Sequence, residues 1–116
     1  MEEAREATRQ MFTVDPQDSV FVANDHMAFA VMDTLRFELG FEIPKDVSIV
    51  GYDDVPASAW PAYNLTTVQQ PVQLMVKETV EILINKIEDS ECEPKRVKID
   101  GSLVIRGSAR LPKEWK

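Results

Sequence analysis

The sequence holds few residues that do chemistry by themselves. It has one cysteine, Cys92, so no internal disulfide can form, and a reducing compartment is expected. Its one histidine, His26, has no histidine or cysteine partner at metal-ligand spacing, and reads as a first-turn helix residue. No apolar run is long enough to span a membrane, and the acidic start, Glu2-Glu3, is unlike a signal peptide. A soluble, cytoplasmic chain without a membrane partner is expected. Positive charge is scarce: thirteen Lys and Arg face twenty Asp and Glu, for a net charge of -7. Only Lys95-Arg96-Val97-Lys98 is locally basic. A domain so charged repels phosphate backbones, so this stretch is not itself a nucleic-acid reader. The four glycines form no phosphate loop, and no Ser–His or Cys–His pair stands out as a nucleophile. No catalytic residue, metal or cofactor is expected.

What is there is an α/β pattern. Residues 2–12 are rich in helix formers, with acids early and arginine late, as a helix dipole favours. Asp15-Pro16 breaks the pattern, and a compact apolar strand is expected over 19–23, ended by Asn24-Asp25. A helix from about 26 to 39 closes at Gly40, with Ala28, Val31, Met32, Leu35 and Leu39 as its core stripe. Phe29, Ala30 and Phe37 lie off that stripe, so a second covered side is expected.

The centre of the pattern is Val47-Ser48-Ile49-Val50-Gly51-Tyr52-Asp53-Asp54, an apolar run that ends in two carboxylates. Buried parallel strands read this way, and ligands of open α/β sheets sit beyond the carboxyl ends of their strands. Asp53 thus stands where a ligand contact would stand; the plain alternative is a cap for the segment after it, a role that suits Asp54 better. Asn24 ends the neighbouring strand, on the same rim, and could instead cap the helix that follows. Residues 55–64 form a loop rich in rings, 65–68 are β-prone, and 72–88 form a helix with Val72, Met75, Val76, Val80, Leu83 and Ile87 on one face. Short strands are expected near 96–99 and 102–106. That last helix and these strands have little sheet to cover, as in a piece of something larger.

Phe21-Val22-Ala23-Asn24-Asp25-His26-Met27-Ala28, the stretch from Gly40 to Asp54, Leu65-Thr66-Thr67-Val68-Gln69-Gln70-Pro71 and Leu103-Val104-Ile105-Arg106-Gly107-Ser108 resemble, in order and spacing, the effector-binding region of the LacI/GalR family of bacterial transcriptional repressors. The resemblance runs from about Glu3 to Leu111 and implies a periplasmic-binding-protein-like (type I) module, of which this chain would be the last third. It implies that 1–68 and about 102–111 belong to the C-terminal lobe, and that about 69–100 belong to the other lobe. The DNA-binding headpiece would lie outside the chain, so operator DNA would be reached only through it.

The resemblance also implies a small effector, a sugar above all, bound between the lobes by Asp53, Asn24 and Gln70. In this reading Asp25 is the helix cap. Val72 stands where some members carry an aromatic that packs on the sugar. Sugars suit such a set, because carboxylates accept from adjacent hydroxyls and amides both donate and accept. A homodimer is implied, with Phe29, Trp60 and Tyr63 as candidate interface rings. Two alternatives come from other classes: a sugar solute-binding protein of a transport system, and a phosphotransfer protein holding Mg²⁺ between Asp25, Asp53 and Asp54. The Asn64-Leu65-Thr66 glycosylation pattern is a chance match in a cytosolic chain.

Overall fold

The structure is a computed structural model that describes residues 1–115. Two compact units divide it: Met1–Gln69 with the C-terminal segment from Leu103, and Gln70–Ser102.

In the first unit, helix α1 spans Glu2–Val14 and buries Ala4, Thr8 and Phe12, one residue per turn on a single face. Glu2 and Glu3 lie in its first turn, where the helix dipole favours acids. Strand β1 (Ser19–Phe21) is followed by α2 (Asp25–Asp33). A π turn at Thr34–Glu38 replaces the regular helical end expected there. The Thr34 hydroxyl donates to Ala30 O at 2.8 Å, and beyond it Leu39 N reaches back five residues to Thr34 O. Gly40, at φ 73°, ends the segment in the left-handed conformation that glycine adopts freely.

Strand β2 (Ser48–Asp53) lies between β1 and β3 (Thr66–Gln69), parallel to both, and the sheet order is β1-β2-β3-β4 with β4 at Ser102–Val104. Val20 faces Ile49, and Asp53 faces Gln69. Helix α2 packs on β2, and α1 packs on α2. Between them lies one core of Phe12, Val22, Ala28, Val31, Met32, Leu35, Val47, Ile49 and Leu65. Met32, Leu35, Ile49 and Leu65 are fully buried, each worth roughly 1.5–3 kcal/mol by transfer from water. Four of the five stripe residues expected on α2 are buried here, and Leu39 packs at the margin. Phe37, on the π turn, is 80 % exposed in this chain.

The C-terminal segment completes the sheet from the side. Ser108 is buried between β2 and β3: its Oγ donates to Ile49 O at 2.6 Å and accepts from Thr66 N at 2.8 Å, while its carbonyl accepts from Ile49 N at 2.8 Å. Arg110 N and Nε donate to Ser48 Oγ at 2.9 and 3.0 Å, and the same guanidinium reaches Asp18 O.

The second unit is dominated by helix α3 (Val72–Glu88). Its boundaries match the periodicity, yet no residue of it is buried. Val72, Val76, Val80, Leu83 and Ile87 all stay exposed. The strand expected at 96–99 does not form. A strand exists only as part of a ladder, and its Val97 alternates with charged neighbours without a paired edge.

Candidate functional site

The site is the rim at the carboxyl ends of β1 and β2, and a buried side chain that the sequence reading had cast as a cap organises it. Asp25 is fully buried. Its Oδ2 accepts from Asp54 N at 2.8 Å, Val55 N at 3.2 Å and Ser58 Oγ at 2.6 Å, and its Oδ1 accepts from Thr67 Oγ1 at 2.6 Å. Four donors fill the acceptor capacity of this one carboxylate. This carboxylate pins the loop after β2 to the start of α2 and to β3. Gly51 makes room for it: a Cβ there would overlap Asp25 Oδ1 and come within 2.9 Å of Leu65 Cδ2.

The backbone that Asp25 holds is unusual. Asp53 and Asp54 have φ of 132° and 61°, two consecutive non-glycine residues on the side of the map that L side chains avoid. Each such residue costs of order 1–3 kcal/mol and persists only where its surroundings over-determine it. The Asp54 side chain is held as well. Arg106 NH2 donates to its Oδ1 at 2.8 Å, and Gln69 Nε2 donates to its Oδ2 at 2.9 Å. The Arg106–Asp54 pair is only 17 % and 10 % exposed at the side chains, and Arg106 NH1 also donates to Leu65 O at 2.9 Å.

Asp53 is half-buried at the end of the central strand. Asn24 stands at the end of the strand beside it, and here the expectation is corrected: Asn24, not Asp25, is the cap, its Oδ1 accepting from Met27 N at 2.9 Å. That bond holds the Asn24 side chain by its amide oxygen. Asp54 is not a cap either. The helical turn at Pro56–Ala59 begins after Val55 and has no side-chain cap, because Asp54 is engaged by Arg106 and Gln69. Asp25, Asp53 and Asp54 do not form a cation cluster. Asp25 is saturated by donors and Asp54 faces a guanidinium, and among the described residues no group of three acidic, histidine or cysteine side chains is placed to hold a metal.

Gln70 and Val72 fall in the second unit. Gln70 is half-buried, and Val72, 60 % exposed, lines with Met75, Val76, Thr79 and Val80 an apolar groove of about 300 Å³ on α3. Of the ring residues, Phe29 and Tyr63 stack on one another with centroids 4.2 Å apart and flank the core. Tyr63 OH donates to Asp33 Oδ2 at 3.2 Å, and burial followed by the Asp33 charge pushes its phenol above the ordinary value. Trp60 is 58 % exposed.

The sequence reading missed Ser58, Thr67 and Arg106 as parts of the site. Arg106 carried one signal, a single guanidinium directly after an apolar strand. Ser58 and Thr67 carried none, since only the fold brings hydroxyls 33 and 42 residues away onto one carboxylate.

Parallel central strands whose ends carry such a rim are the lobe architecture of binding proteins with a cleft, and the comparisons agree. The chain belongs to the periplasmic binding protein-like domain family, whose profile it matches over residues 1–109. It is 34 % identical over 96 residues, 83 % of this chain and 28 % of the other, to the HTH-type transcriptional repressor PurR of Vibrio vulnificus. Its backbone is similar to that of the transcriptional regulator CelR in complex with cellobiose, at a TM-score of 0.85 and 33 % identity over 93 % of this chain and 33 % of that one. It is also similar to a LacI family transcriptional regulator from Lactobacillus casei with bound sucrose, at a TM-score of 0.76 and 29 % identity over 93 % and 40 % of the two chains. The chain thus spans about a third of the length of the regulators it matches.

Proposed function

We propose that this chain is the effector-sensing and dimer-forming part of a LacI-type transcriptional regulator acting in the cytoplasm, and that its effector is a sugar. The observation that carries the reading is the rim: Asp25 and Arg106 hold Asp53 and Asp54 in a strained backbone at the end of the central strand. Strain kept at a strand end is a mark of a site built for contact. Asp53 accepts from adjacent sugar hydroxyls, and Asn24 donates through Nδ2. Residues 1–68 and about 102–111 form one lobe, and about 69–100 contribute Gln70 and Val72 from the other. Nothing in this role calls for bond-making. The sugar-bound relatives support the effector class, and their being regulators supports regulation over transport.

In the regulator the sugar favours one arrangement of the lobes, and that difference in affinity is transmitted to DNA through a headpiece. Such couplings are typically ~1–3 kcal/mol. Phe29, Tyr63 and Trp60 supply rings to the homodimer surface. The test is calorimetric titration of mono- and disaccharides, cellobiose and sucrose first, into the two-lobed protein that carries this chain. At least one sugar is expected to bind, and Asp53→Ala to abolish its heat. Binding unaffected by Asp53→Ala, or no sugar bound at all, overturns the reading.

A further inference from the structure

We infer that Arg106, Asp54 and Gln69 form a positioning clamp that sets the conformation of Asp53, tying the rim to the two places where the chain leaves and re-enters its first unit. The inference rests on the sugar-sensing reading for its purpose, but its geometry stands by itself. Gln69 is the last residue before the chain crosses to the second unit, and Arg106 lies three residues after the return at Leu103. Both converge on the two oxygens of one carboxylate, Asp54, at 2.9 and 2.8 Å. The neighbouring residue is Asp53, and both have positive φ.

Arg106 is fastened at three points: its backbone N donates to Thr66 Oγ1 at 2.9 Å, NH1 donates to Leu65 O and NH2 to Asp54. It therefore cannot shift without disturbing the start of β3, the residue that follows Asp53, or both. A movement of either crossing segment is felt first at Asp54, and through one peptide unit at Asp53. The coupling also runs the other way, since a ligand that holds Asp53 stiffens both crossings. Asp25 alone does not do this. It fixes the amides of Asp54 and Val55 from inside the unit and touches neither crossing residue.

Amide relaxation measured by nitrogen-15 NMR on the full chain tests the clamp without any effector, so loss of the sugar reading leaves this result standing. In the wild type, Asp53 and Asp54 should show the order parameters of rigid backbone, about 0.85. In Arg106→Gln both should fall below about 0.6, while Ile49 and Leu65 in the core stay rigid. Gln69→Ala, which removes one exposed hydrogen bond, should give a smaller loss confined to the same two amides. Arg106→Lys should restore only part of the order, because a single ammonium cannot reach Asp54 and Leu65 O together. If Asp53 stays rigid in both Arg106→Gln and Gln69→Ala, or if order is lost equally in the core, the clamp is refuted.

Discussion

At the scale of single residues, the molecule depends on a carboxylate that makes no ion pair among its described contacts. Replacing Asp25 by alanine strands two hydroxyls and two amides in a buried site, each of which loses its acceptor. Hydrogen bonds to a charged group are worth ~1.5–3 kcal/mol apiece, so a loss of at least about 3 kcal/mol is expected in urea unfolding. Tyr63 gives the molecule a second residue-scale signature, this time in pH. Its phenol titrates above the ordinary value, chiefly because it is buried and then because Asp33 is near. A raised folded pKa stabilises below the unfolded value of about 10 and loses that contribution as pH rises through the folded value. The loss therefore sets in as pH passes the unfolded value and is complete once it exceeds the folded one. Tyr63→Phe should remove that part of the alkaline slope, read by unfolding midpoints at stepped pH in a Tyr52→Phe background.

At the scale of elements, the fit between sequence and structure varies for physical reasons. Helix 72–88 was legible to the residue because its periodicity is strong and nothing tertiary competes with it. The parallel strands were legible because Val/Ile runs ending at Gly or Asn have few other readings. The π turn was not, because sequence patterns assume the regular ladder. The strand at 96–99 was misread because an alternating tetrapeptide says nothing of whether an edge lies beside it. The rim was half legible. Asp53 and Asn24 could be placed at strand ends, but the cap fell to Asn24 and Asp25 turned inward, since either residue caps well and only burial decides between them. Gly51 shows how tightly β2 is built against this rim. Gly51→Ala should cost about 1–3 kcal/mol, the usual penalty for a group forced into filled space, and should lower the urea midpoint without changing the slope.

At the scale of the whole molecule, the second unit contributes an amphipathic helix whose apolar side is open to water. Residues so exposed add little to the stability of this chain. Val80→Gln with Ile87→Gln should move the unfolding free energy by less than about 0.5 kcal/mol, while sedimentation velocity at rising concentration should show less self-association than in the wild type.

The other whole-molecule feature is Ser108, which holds β2 to β3 from a point 59 residues beyond its partner Ile49. A ribosome making this chain releases both strands long before it delivers the serine that locks them together. The sheet therefore waits, half-fastened, until that serine emerges. Nonsense or frameshift lesions that spare everything up to Gly101 would leave a product with all of α1, α2, β2 and β3, but without the stitch that closes them, and such a product should be cleared as unfolded chain.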